Sequence, residues 1–95
     1  MAAYVIAQVE VTDPETFAQY GKQVPAVVEK YGGRYLVRGG TMEDIEGMWN
    51  VSRLVVLEFP SMEQLKRFYH SAEYAPLIAL RQKSARTIFT AVDGV

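Results

Sequence analysis

The sequence predicts an α+β fold in which one four-stranded antiparallel sheet is covered by helices on a single face. Three observations carry this. Four short segments, Tyr4–Val11, Arg34–Arg38, Arg53–Phe59 and Thr87–Val92, alternate with period two or are rich in β-branched and aromatic residues. The stretches after the first and third of them carry apolar residues at spacings of three and four, the mark of amphipathic helices. Glycine pairs, prolines and small hydroxyl residues punctuate the junctions.

In the first strand Val5, Ala7, Val9 and Val11 share one fully apolar face, and Tyr4, Ile6, Gln8 and Glu10 share the other. Thr12-Asp13-Pro14-Glu15 supplies a capping residue, a proline suited to a first turn and an acid that complements the helix dipole. The helix beginning there packs through Phe17, Tyr20, Val24, Val27, Val28 and Tyr31. Pro25 removes a hydrogen bond to the carbonyl of Gly21 and is expected to bend it there. Gly32 ends the helix and Gly33 leads into the second strand. In that strand strict alternation puts Arg34, Leu36 and Arg38 on one face and Tyr35 and Val37 on the other. Gly39-Gly40 turns the chain into a loop, Thr41–Ser52, with one turn of helix at most. Trp49 in it is expected to bury its ring against the domain or a second subunit.

The third strand places Arg53, Val55, Leu57 and Phe59 on one side and Leu54, Val56 and Glu58 on the other. Ser61 with Gln64 opens a helix carrying Met62, Leu65, Phe68 and Tyr69. After a break at Ser71-Ala72, a second helix starts near Ala72 or Glu73, with Pro76 in its first turn or so, and runs toward Ala85. Thr87–Val92 is the fourth strand. The order β-α-β-β-α-β, with its second helix split in two, is that of the ferredoxin-like arrangement.

At 95 residues, 49% of them hydrophobic, the chain is expected to form a single domain, residues 1–95. Ten basic against eleven acidic residues, with no basic run, give no footprint for nucleic acid or for a membrane surface. The absence of cysteine removes thiolate chemistry and fits a reducing cytoplasm. The amino terminus leads directly into a strand pattern, so neither a signal peptide nor a membrane span is expected. Helices cover only one sheet face, yet Ile6, Leu36, Leu54 and Val56 make the other apolar too. Burying each would contribute roughly 1.5–3 kcal/mol, which favours pairing two sheets as a symmetric homodimer.

The run Gly32-Gly33-Arg34-Tyr35-Leu36-Val37-Arg38-Gly39-Gly40, Glu46-Gly47 with Trp49 close behind, the block Arg53–Ser61, the segment Tyr69–Tyr74 with Arg81 beyond it, and Val92-Asp93-Gly94 together resemble the domain-of-unknown-function family 1330 of the dimeric α/β-barrel superfamily. Ala72 departs from the proline expected between the serine and the glutamate. The resemblance implies the ferredoxin-like fold, sheet-to-sheet dimerisation and a small-molecule cavity. The superfamily holds heme-dependent and cofactor-independent oxygenases, isomerases and binding modules, so the fold alone transfers no reaction.

The candidate ligand-binding residues are Arg38, Glu58, Tyr20, Tyr74, Trp49, Arg34 and Arg81. Arg38 with Glu58 either meets a ligand anion or forms a structural ion pair near the dimer seam, and the pairing of buried charges favours the second. Arg81 reads as a surface or interface ion pair. The hydroxyls of Tyr20 and Tyr74 could reach a cavity from the helices. His70, the one histidine, falls at a helix end where solvent exposure suits it, and no second imidazole or CxxC accompanies it. The acids Glu43, Asp44 and Glu46 lack the spacing of a calcium loop. Neither a metal nor a cofactor is therefore expected. The leading reading is a homodimer that binds or converts a small organic acid or aromatic metabolite, in a cavity between sheet and helices or at the dimer seam. The alternatives are a structural or interaction dimer and a cofactor-independent monooxygenase-like or isomerase-like enzyme.

Overall fold

A computed structural model describes residues 1–95. The elements run β1 (Ala3–Val11), α1 (Pro14–Lys30), β2 (Arg34–Arg38), β3 (Arg53–Phe59), α2 (Met62–Tyr69), α3 (Ala75–Ser84) and β4 (Ala85–Asp93). The strands pair antiparallel in the order β2-β3-β1-β4, the ferredoxin-like arrangement predicted, with β1 and β3 at its centre. No helix is long and apolar enough to cross a membrane.

Local chemistry sets the helix ends. Asp13 caps α1, accepting from the Thr16 N–H at 3.3 Å and from the Thr16 hydroxyl at 2.7 Å. These bonds hold its carboxyl below the ordinary aspartate value. Ser61 caps α2 through the Gln64 N–H at 3.1 Å. Ser71 donates to the Phe68 carbonyl at 2.8 Å and accepts from the Tyr74 N–H at 3.1 Å, which turns the chain between α2 and α3 and sends Tyr74 inward. Helix α1 continues through Pro25 to Lys30. The Gly21 carbonyl, deprived of its partner by Pro25, instead accepts from Arg38 Nη2 at 2.9 Å.

The core lies between the sheet and the helices. Small residues of β1, Ala3, Val5, Ala7 and Val9, are all buried and let the helices approach. Phe59, Phe68 and Tyr74 stack above them, with ring centroids 5.1 Å and 4.3 Å apart in turn. Gly33 admits this packing: a Cβ there would stand 2.6 Å from the Phe59 ring and 2.9 Å from Val28.

Strand β2 departs from strict alternation. Arg34 faces Glu58 and Tyr35 faces Leu57, but Val37 then faces Val56 and Arg38 faces Val55, so Leu36 is an extra residue, a β-bulge. Beyond Leu36 the bulge reverses the parity of the strand. Tyr35 and Arg38 point to the helix side, whereas Arg34 and Val37 point to the open face. The expected placement of Arg38 with Arg34 and Leu36 on the open face is corrected accordingly.

Residues 39–52 form an exposed loop without a helical turn. Trp49 is 50% exposed and is not packed on the core, so the expected return of its ring to the domain does not occur within one chain. On the open face Ile6, Leu54 and Val56 are half-buried, while Leu36 is 46% and Ile88 62% exposed.

Replacing Gly33 by alanine drives a methyl into the Phe59 ring and is expected to lower unfolding stability by about 1–3 kcal/mol. Urea unfolding followed by circular dichroism reads the loss. An unchanged midpoint would show that β2 yields at no cost.

Candidate functional site

Two cross-strand rows form the floor of a cavity between the sheet and α1. One row runs Arg38, Val55, Ala7, Phe89 from the β2 edge to the β4 edge, and the next runs Arg53, Val9, Thr87. Phe17, Tyr20, Gly21 and Val24 of α1 and Arg81 of α3 close it from above, around a volume of about 50 Å³. Its lining includes three arginines and no aspartate, glutamate, histidine or cysteine.

Each guanidinium lies against an aromatic ring. Arg38 is 4.8 Å from the Tyr35 centroid, Arg53 5.9 Å from Phe17 and Arg81 4.9 Å from Phe89. None of the three takes part in a salt bridge; the four ion pairs are Lys30–Glu73, Arg34–Glu58, Arg67–Glu63 and Arg86–Glu10. Arg81 is nevertheless only 5% exposed. The buried side-chain polar atoms without a hydrogen-bond partner are Arg53 Nε, Arg81 Nε and Thr87 Oγ1, and all three residues line this cavity. Native interiors seldom leave such groups unpaired, and here all three fall at one cavity.

The arginines are individually positioned. Arg38 is tethered to the Gly21 carbonyl with the rest of its fork free. The guanidinium of Arg53 lies on Gly39, where φ is +70° and a Cβ would come within 2.3 Å of Nη1. Glycine therefore serves both the turn and the close approach. Arg81 shares the buried stripe of α3 with Leu77 and Ser84.

The Tyr20 hydroxyl meets that of Tyr74 at 2.7 Å, and either can donate. Burial raises the pKa of both phenols and of Tyr35, with Arg81 opposing the shift at Tyr20 and Tyr74 and Arg38 opposing it at Tyr35. All three stay neutral at ordinary pH and serve as hydrogen-bonding groups rather than bases.

Of the sequence candidates, Arg38, Tyr20 and Arg81 come together here, and Tyr74 stands behind Tyr20. Glu58 and Arg34 do not. They pair with each other on the open face at 2.6 Å, which corrects the expected Arg38–Glu58 pair, because the bulge separates the two arginines. Arg81 is likewise buried and without an acid rather than a surface or interface ion pair. Trp49 lies on the exposed loop, outside the cavity lining, and His70 is exposed at the end of α2. Arg53, Tyr35 and Thr87 are additional wall residues. The signal for Arg53 was its parity with Val55, Leu57 and Phe59 on the apolar face.

A family model, Domain of unknown function (DUF1330), matches residues 2–95. No curated protein matches the chain. Among solved structures, a protein of unknown function from Rhodopseudomonas palustris is similar with TM-score 0.78 at 17% identity, covering 99% of this chain and 82% of that one. SnoaB, a cofactor-independent oxygenase from Streptomyces nogalater, has TM-score 0.69 at 9% identity, covering 99% and 93%. A dimeric ferredoxin-like protein of unknown function from Jannaschia sp. CCS1 has TM-score 0.68 at 11% identity, covering 99% and 100%. At these identities the likeness is one of fold.

An unpaired buried guanidinium opposes folding in the ligand-free protein. Arg81→Met, which keeps the stem and removes the charge, is therefore expected to raise stability by about 1 kcal/mol or more. Urea unfolding in a buffer free of small anions measures this, and a clear loss of stability would show that Arg81 is a structural residue.

Proposed function

The chain belongs to the DUF1330 family, and within it we propose that this protein is a homodimer whose cavity between sheet and helices binds a small organic anion. The observation that supports the anion is the set of three guanidiniums around one apolar cavity with no acid among its lining residues. Arginine is the side chain suited to planar recognition of a carboxylate, and its stacking on Tyr35, Phe17 and Phe89 holds each fork in place for one. With no histidine, cysteine or acid in the lining, and with its phenols neutral, the cavity favours binding and orientation of a ligand over proton abstraction by the protein. Oxygenase activity belongs to the Streptomyces nogalater neighbour, which shares the fold at 9% identity. A purely structural dimer would leave the buried, acid-free Arg81 without a counter-ion.

The homodimer rests on the open sheet face, where Ile6, Leu54, Val56 and Ile88 lack a covering layer. A description as dimeric accompanies the Jannaschia neighbour of the same fold. The cavity lies on the opposite face of the sheet, so binding and dimerisation use separate surfaces.

Two measurements test these readings. Thermal melts with acetate or propionate, against acetamide or propionamide, are expected to show stabilisation by the acids alone. At a hundredfold excess over Kd the shift is roughly 10 °C or more for a domain of this size. Equal response to the amides would remove the anion reading. Sedimentation at micromolar concentration is expected to give twice the chain mass, and Val56→Asp to dissociate or unfold the dimer by placing a charge in a dry interface. A stable wild-type monomer would end the dimer reading.

A further inference from the structure

Resting on the anion reading above, we infer that the cavity takes a short-chain dicarboxylate, with one carboxylate toward Arg38 and Arg53 and the other toward Arg81, all of which reach into the same cavity. The cross-strand rows set this geometry. Arg38 starts from β2, and Arg53, although on β3, lays its guanidinium on Gly39 at the end of β2, so two forks gather at that edge. Arg81 lies over Phe89 of β4, and the unpartnered Thr87 hydroxyl belongs to the same strand. Between the two edges the floor is Val55, Ala7 and Val9, which offer no polar side chain.

A single carboxylate at either edge leaves the guanidinium charge at the other without a counter-ion. Two carboxylates joined by a short apolar link answer the guanidiniums that reach into the cavity from both sides and lay the link over the apolar floor. Size agrees. About 50 Å³ is the space of roughly four waters at ~10–15 Å³ each, which suits a short chain rather than a fused-ring system. The edges also differ in access. Arg81 is buried whereas Arg38 is exposed, so the ligand enters with its second carboxylate last, at the β2 mouth.

Calorimetric titrations at constant ionic strength with malonate and succinate, against acetate, propionate and inorganic phosphate, test this. The dicarboxylates are expected to bind at least about ten-fold more tightly than the monoacids. Arg38→Gln and Arg53→Gln are expected to cut the preference for succinate over propionate to within about two-fold, because they remove charge that the second carboxylate meets at the mouth. Ligand-free melts of both variants check that the fold is intact. If dicarboxylates bind no more tightly than propionate, or if inorganic phosphate binds as well as succinate, the dicarboxylate assignment falls and the anion cavity stands. If neither class of acid binds, both fall together. Arg81→Met separates the ends in the opposite sense and is expected to abolish propionate binding.

Discussion

One extra residue in β2 decides what the cavity is. With Leu36 in strict register, Arg38 would join Arg34 and Glu58 on the open face, and the helix side of the β2 edge would carry no charge. The bulge turns Arg38 under α1, where it meets a carbonyl that Pro25 has already left without a donor. The two irregularities answer each other. A helix-interior proline costs stability and orphans a carbonyl at Gly21, and the bulge brings the guanidinium that satisfies it. The paired defect fixes one arginine of the site with two local backbone departures rather than with an acid.

That absence of acids is the electrostatic character of the site. A guanidinium within reach of a carboxylate ordinarily pairs with it, as Arg34 pairs with Glu58 at 2.6 Å on the open face of the same sheet. In the cavity each finds a ring face instead, which steadies a cation without neutralising it. The cavity lining therefore carries positive charge that no carboxylate of the chain neutralises. The Tyr20–Tyr74 pair fits the same pattern, because burial holds both phenols neutral and no negative charge arises beside Arg81.

The fold was legible in the sequence because its signals are local and mutually consistent. Period-two alternation, the Asp13 and Ser61 caps and the Gly32 stop each correspond to a feature found in place. The site was only half legible, for reasons that can be named. A bulge is invisible to alternation, since Arg34, Leu36 and Arg38 keep their spacing in the chain while losing their common face. Arg53 and Arg81 were legible in principle. The first shares parity with Val55, Leu57 and Phe59, and the second stands four residues after Leu77 and three before Ser84 on the buried stripe of α3. An arginine on an apolar stripe reads by default as an ion-pair partner, and only the three-dimensional arrangement shows that the acids face elsewhere. Trp49 finds no cover within one chain, which removes the first of its two expected places, the domain, and leaves the second, another subunit.

The two sheet faces divide the chain's work, and the division comes from alternation along the central strands. In β1 every second residue from Ala3 to Val9 goes to the core and cavity, and the residues between them, Tyr4 to Glu10, go to the open face. A change at Ile6 or Val56 thus acts on the surface proposed for dimerisation, and one at Ala7 or Val55 acts on the cavity floor, although the two sets are neighbours in sequence. The two sets share the backbone of the sheet and no side chain. Covering the open face would hold β2 and β3 in register at the very rows where Arg38 and Arg53 depart, and so would order the mouth of the cavity without contributing a residue to it.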